Sequence, residues 1–252
     1  MSILEVENLT IMFGGLKAVD NFNIKMDEGE LVGLIGPNGA GKTTIFNLLT
    51  GVYVPTEGSI KLNNVSTINK KPSQIVMLGS SRTFQNIRLF KNMTVLDNIK
   101  VAYHNEMDYG VFASVFKTKK FQDEEERANK VAMELLSVFD LESYSEELAK
   151  NLPYGKQRKL EIARALATNS KLLLLDEPAA GMNPQETEEL MATIKLIKDQ
   201  FKVSILLIEH DMKLVMGICE RIVVIDYGKI IAKGTPDEIK NNKDVIKAYL
   251  GE

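Results

Sequence analysis

Residues 36–44 read GPNGAGKTT, so Gly36, Pro37, Asn38, Gly39, Ala40 and Gly41 run straight into Lys42, Thr43 and Thr44. The spacing fits G-x-x-x-x-G-K-[ST], a loop that holds phosphate. Its glycines take backbone dihedrals closed to other residues and let N–H groups come close to an anion. Those N–H groups, with the free N-terminus of a following helix, form an anion cradle. Lys42 adds a point charge for the β- and γ-phosphates, and the Thr43 hydroxyl is a ligand for Mg²⁺. The bland alternative is a glycine-rich loop with a chance lysine, and the flanking pattern speaks against it. LVGLI is an apolar run of strand length, and from Lys42 onward Ile45, Leu48 and Leu49 recur at helical spacing, with Gly51 as the stop.

A phosphate cradle that does chemistry also needs a metal anchor and a way to activate water. Residues 172–177 read LLLLDE. Four consecutive apolar residues predict a strand buried on both faces of a parallel sheet. Ligands in such sheets sit at the carboxyl ends of the strands. Asp176 is therefore the expected Mg²⁺ anchor, acting through water because Mg²⁺ keeps much of its hydration shell. Glu177 is the expected acceptor of a proton from the attacking water. In isolation the same two acids would read as a solvated strand end. VSILLIEHD, 203–211, repeats the pattern and puts His210, one of two histidines, at a strand tip. There it reaches a γ-phosphate or the attacking water, the alternative being an ordinary surface histidine. His104 sits in a polar, irregular stretch and reads as surface.

The 252 residues allow one large domain or a domain with an insert. Hydrophobic residues make up 44 %, and no apolar run approaches the ~18 residues of a membrane span. The start, MSILEVENLT, has neither a basic leader nor an apolar signal core. A net charge of −3 argues against general nucleic-acid binding. A single cysteine, Cys219, excludes an internal disulfide and reads as a buried thiol. The expectation is a soluble, cytoplasmic protein.

With these motifs in this order, the chain resembles the ATP-binding subunits of ABC transporters over nearly its whole length. GPNGAGKT resembles the Walker A loop, and LLLLDE the Walker B strand with its catalytic glutamate. Gln85 in RTFQNIRLF resembles the Q-loop glutamine, which implies that it senses Mg²⁺ and links the core to a helical subdomain. His210 matches the switch histidine. Phe13 in IMFGGLKAV matches the aromatic that stacks on adenine, with a core phenylalanine as the alternative. Ala180, Gly181, Met182 and Asn183 lie where the D-loop falls, with Asn183 in place of its usual aspartate. LPYGKQRKLEIARAL looks like the signature motif. In the family, two ATPases pack head to tail, and this loop of one completes the phosphate site of the other. The usual LSGGQ becomes Leu152, Pro153, Tyr154, Gly155 and Lys156 here. The serine hydroxyl is lost, Gly155 keeps close backbone approach, and Lys156 adds positive charge.

These departures, with DEPAAGMNPQETEEL, resemble the branched-chain (hydrophobic) amino-acid uptake branch of that family. SRTFQNIRLFKNMTVLDNI and an extra segment over 103–128 fit the same branch. The resemblance implies ATP and Mg²⁺ as cofactors and hydrolysis coupled to import. It implies two separate membrane permease subunits, a second ATPase or a second copy of this chain, and an external solute-binding protein. It implies no nucleic acid, and a peripheral place on the cytoplasmic face of a prokaryotic membrane. A soluble ABC ATPase acting on ribosomes or DNA is the alternative, although the paired ATPase units or long coiled-coil insertions of such proteins are missing. A GTPase is disfavoured because NNKD, 241–244, has the wrong spacing for N-K-x-D.

The fold class expected is α/β, a P-loop NTPase (RecA-like) core with an antiparallel β subdomain and a helical subdomain. A single cassette spans 1–252, with 1–85 and 161–252 as core and 86–160 as helical subdomain. Residues 1 to about 28 alternate as antiparallel strands. DEEERANKVAMELLSVFDL predicts a helix with Ala128, Val131, Leu135, Leu136 and Val138 near one face and acids at its N-terminus. KTKK, 117–120, reads as a solvated face. One closing helix is expected from Thr235 as cap, with Pro236 in its first turn. Arg82, Phe90 and Met93 are expected to line a groove that receives a permease helix.

Overall fold

The computed structural model describes residues 1–250 and divides into two compact units, one from Met1–Gln85 with Lys171 onward, the other Asn86–Ser170. Along the chain the elements are β1 (Ser2–Phe13), β2 (Leu16–Asp27), β3 (Leu31–Ile35), α1 (Lys42–Leu49), β4 (Glu57–Leu62), β5 (Val65–Ser66), α2 (Pro72–Met77) and β6 (Ser80–Arg82). The second unit holds α3 (Val95–Tyr103), α4 (Val111–Val115), α5 (Lys119–Val138) and α6 (Tyr154–Leu166). The first unit resumes with β7 (Leu172–Asp176), α7 (Pro184–Phe201), β8 (Ser204–Ile208), α8 (Met212–Ile218), β9 (Arg221–Asp226), β10 (Lys229–Gly234), α9 (Pro236–Lys240) and α10 (Lys243–Leu250).

In the first unit, β3, β7 and β8 are buried at every position. Their unbroken apolar runs suit strands covered on both faces. They pair in parallel within the order β10-β9-β3-β8-β7-β6, with Leu34 opposite Ile208, Asp176 opposite Ile208 and Arg82 opposite Leu174. This register brings the carboxyl ends of β3, β6, β7 and β8 to one edge. β1 and β2 mix buried with exposed positions, in alternation along the second half of β2, and pair antiparallel in a second sheet, β2-β1-β4-β5. One hydrophobic cluster joins the sheets and α1, with Phe22, Ile24, Leu34, Phe46, Leu174 and Leu206 in it.

The second unit is helical. Ile99, Ala128, Ala132, Leu135, Leu136, Leu160 and Ala163 are buried as the packed faces of α3, α5 and α6. Buried Asn98 accepts from the Phe90 amide and donates to the Phe90 and Thr94 carbonyls, which fixes the segment before α3.

Three expectations need correction. The compact units divide at 170/171 rather than 160/161, because α6 runs unbroken from Tyr154 to Leu166 and belongs with α3 and α5. α5 starts at Lys119, capped by the Thr118 hydroxyl, so the acids from Asp123 fall beyond its first turn. The expected single closing helix is two, because the Asn242 side chain accepts from the Asp244 and Val245 amides and so starts α10 anew. Thr235 does cap α9, in a reciprocal box with Glu238. Among the described residues no helix is long and apolar enough to cross a membrane.

Candidate nucleotide site

The glycine-rich loop leaves β3 and enters α1 through Gly41, which is left-handed at φ 104°. A Cβ there would lie 2.7 Å from the Ala18 carbonyl, so both shape and dihedral demand glycine. No side chain caps α1, so its first N–H groups face the cavity and are free to bind an anion. That cavity holds about 530 Å³ and is lined by 38–44, Leu16, Lys17, Ala18, Glu177, Tyr227 and Gly228. Lys42 donates to the Gly36 carbonyl at 2.6 Å and the Pro37 carbonyl at 2.9 Å. An ammonium has three donors, so one remains for a phosphate. Burial lowers the Lys42 pKa, and the Glu177 and Asp176 carboxylates oppose that shift.

The strand tips supply the rest. Glu177 follows β7 in a left-handed conformation, φ 47°, held by its N–H to the Ile208 carbonyl at 2.9 Å. Non-glycine residues seldom sit there, and such strain gathers at functional sites. Gln85 donates from Nε2 to Glu177 Oε2 at 2.8 Å, and His210 Nδ1 lies 3.8 Å from the same oxygen. Gln85, Glu177 and His210 line a second cavity, again of about 530 Å³, with Gly36, Pro37, Asn38 and Tyr249. Asn38 and Glu177 form the wall common to both cavities.

Asp176, one residue before Glu177, is 4 % exposed, with Oδ2 accepting from Arg82 Nη2 at 2.7 Å. Arg82 also donates to Asn47 Oδ1 at 2.7 Å and lies over the Phe46 and Phe84 rings. Arg82 is therefore not the groove residue expected but the buried partner of the strand-tip aspartate. Phe90 is half-exposed, with Arg164 over its ring, and Met93 is partly buried. Mg²⁺ takes one or two protein oxygens beside phosphates and waters. The Thr43 hydroxyl on the cavity wall and the buried Asp176 carboxylate are hard oxygen donors of that kind.

Glu209 escaped the sequence reading, which stopped at its neighbour His210. Its buried carboxylate accepts from the amides of Ala179 at 2.8 Å, His210 at 3.0 Å and Asp211 at 3.3 Å. It ties the loop after β7 to the histidine. Burial pushes its pKa above the usual value, against the pull of those three amides. An acid directly before a strand-tip histidine was the available signal.

The remaining expected residues lie elsewhere. Phe13 is half-exposed, packs edge-on against Tyr53 with ring centres 5.4 Å apart, and lines neither cavity; Leu16 does. In Ala180–Asn183, Gly181 is left-handed and Asn183 caps α7, its side chain accepting from Glu186 N–H while Glu186 returns the bond. Asn183 in the usual aspartate's place thus does a capping residue's work. Leu152–Lys156 belongs to the second unit. Pro153 is the N-cap of α6 and offers no side-chain bond, Leu152 and Gly155 are buried, and Tyr154 is 44 % exposed. The Lys156 ammonium sits 4.6 Å from the Tyr144 ring centre.

A family profile described as ABC transporter matches residues 19–180, which include the glycine-rich loop, Gln85, the α6 loop and the β7 acids. The chain belongs to this family. A second profile, Branched-chain amino acid ATP-binding cassette transporter, matches residues 229–252. The high-affinity branched-chain amino acid transport ATP-binding protein BraF of Pseudomonas aeruginosa is 50 % identical over 99 % of this chain and 98 % of its own. LivG of Escherichia coli, a protein of the same description, is 49 % identical over the same shares. Among solved structures, the ADP conformation of MJ1267, an ATP-binding cassette of an ABC transporter, aligns with TM-score 0.86 and 32 % identity over all of both chains. A nucleotide-free cassette from an ABC transporter aligns at 0.84 with 33 % identity, again over all of both. This ABC cassette therefore binds ATP and hydrolyses it.

Proposed function

We propose that this chain is the ATP-hydrolysing subunit of an importer for branched-chain or other hydrophobic amino acids. The observation that carries the reading is identity near one half, over essentially the full length, to the BraF and LivG transport ATP-binding proteins. Acting on ribosomes or DNA is not favoured beside it.

In this reading the α1 amides and Lys42 hold the triphosphate, and Thr43, Gln85 and Asp176 would hold Mg²⁺. Mg²⁺ held there would neutralise charge that develops on the phosphates. Glu177 takes the proton of the attacking water, and His210 orients that water and the γ-phosphate. Phe13 meets the adenine once nucleotide is bound. The loop Leu152–Lys156 and the D-loop Ala180–Asn183 meet a second ATPase, so that the start of α6 adds its amides to the partner's phosphate site. Two permease subunits carry the membrane spans, an external binding protein selects the cargo, and this chain sits on the cytoplasmic face.

The test is reconstitution of the tagged chain, purified from gently solubilised membranes with its co-purifying subunits, into proteoliposomes. ATP-driven uptake of labelled leucine is expected, and Glu177→Gln abolishes it. Uptake that continues in that variant, or recovery with ribosomes and no membrane protein, overturns the reading.

A further inference from the structure

The second cavity has one wall that no motif of the sequence accounts for. Gly36, Pro37 and Asn38 form one side, and Gln85, Glu177 and His210 come from the strand tips. The remaining side is Tyr249, carried in by α10 from the far end of the chain. Tyr249 and Gly36 line the same cavity, which sets the phenol beside the first turn of the glycine-rich loop. A phenol has an O–H to donate and an oxygen that accepts. The ring is 41 % exposed, so it stands at the cavity's mouth rather than in the core.

The two cavities divide the work. The first contains the α1 amides, Lys42 and Thr43, and takes the phosphates. The second lies across Glu177 and Asn38, is lined mainly by polar groups, and has room for several waters. Glu177 opens onto this cavity, which offers the attacking water an approach apart from the phosphate cavity. We propose that Tyr249 is a positioning residue for hydrolysis: its O–H orders the water chain that feeds Glu177. α9 and α10 fall within residues 229–252, the stretch matched by the branched-chain profile, so this donor comes from the chain's branch-specific end. The inference rests on the assignment of Glu177 as base.

Tyr249→Phe removes the O–H and keeps the ring. ATPase activity of the full chain with its co-purified subunits should fall about 3- to 10-fold in kcat, the worth of one hydrogen bond. KM for ATP should stay within about 2-fold, since no phosphate contact is lost. The melting temperature should be unchanged. A 3-fluorotyrosine at 249 gives a readout apart from turnover. Its ¹⁹F signal should move when ATP and Mg²⁺ are added to the Glu177→Gln chain, because the water chain reorganises. An unchanged or raised kcat, a change confined to KM, a parallel loss of melting temperature, or a silent ¹⁹F signal each overturns the proposal. A wild-type chain that fails to hydrolyse ATP overturns the catalytic assignment as well, which separates the two failures.

Discussion

Arg82 Nη2 lies 2.7 Å from Asp176 Oδ2, and both side chains are 6 % exposed. The pair joins the tips of β6 and β7, so the aspartate's direction is set before nucleotide arrives. Removing one partner of a buried pair strands the other's charge, which typically costs about 3–5 kcal/mol. Arg82→Ala should therefore lose about that much in urea unfolding, together with Mg²⁺-dependent turnover. A loss under about 1 kcal/mol would mean that water replaces the guanidinium.

Glu177 carries both the proposed base and a left-handed backbone, φ 47°. A side chain in that region costs about 1–2 kcal/mol that glycine does not bear. Glu177→Gly should be about 1 kcal/mol more stable than Glu177→Ala, and both should be inactive. Glu177→Gln keeps ATP binding and loses at least about 10²-fold in kcat, the typical share of general base catalysis. Equilibrium unfolding of the three variants and single-turnover hydrolysis check these together.

What the residues announced and what they concealed follow one physical line. The phosphate loop and the tips at Asp176, Glu177 and His210 were readable because glycine, lysine and an abrupt end to an apolar run are local signals. Arg82 and Tyr249 carry no such mark, and Glu209 carries only its place before His210. Each meets groups far away in sequence: Arg82 pairs with Asp176, Glu209 accepts from Ala179, and Tyr249 lines the cavity of Glu177. A charged residue near a strand end reads as surface until the register of β6 against β7 is known. The start of α5 was misplaced for a simpler reason. Four acids mimic a helix N-terminus, whereas the Thr118 hydroxyl sets the boundary.

Glu209 gives a pH dependence with a defined sign. Burial raises its pKa above the ordinary 4.5. The folded chain then holds that proton more tightly than the unfolded chain, so stability falls as pH rises from 4.5 through the folded value. Glu209→Gln lacks this term and should gain on wild type across the same window in urea titrations at stepped pH. Glu209→Ala should instead lower kcat at every pH, since the Ala179 and His210 amides lose their shared acceptor.

Cys219 has 6 % exposure and a thiol pushed up to about 12 by burial. At pH near 8 its thiolate population is about 10³-fold below that of an ordinary cysteine. Ellman's reagent should leave the native chain unmodified for hours and titrate one thiol once urea unfolds it. The same thiol lies 3.0 Å from where a Cβ on Gly33 would stand. Gly33→Ala should therefore press on Cys219, and slow native-state labelling is the signal that it has.

Asn183 separates a capping role from a trans-contact role in the D-loop. Its side chain and that of Glu186 exchange bonds with each other's backbone N–H, at 3.0 and 2.9 Å. Losing such a cap costs about 1 kcal/mol. Asn183→Ala should lose that much, whereas Asn183→Asp keeps the acceptor, adds a charge favourable to the α7 N-terminus, and should match wild type or exceed it. If Asn183 served the cap alone, ATP-driven pairing of the Glu177→Gln chain would follow stability and Asn183→Asp would be neutral. A change in pairing with Asn183→Asp at unchanged stability, read by analytical ultracentrifugation, assigns Asn183 to the contact with the second ATPase.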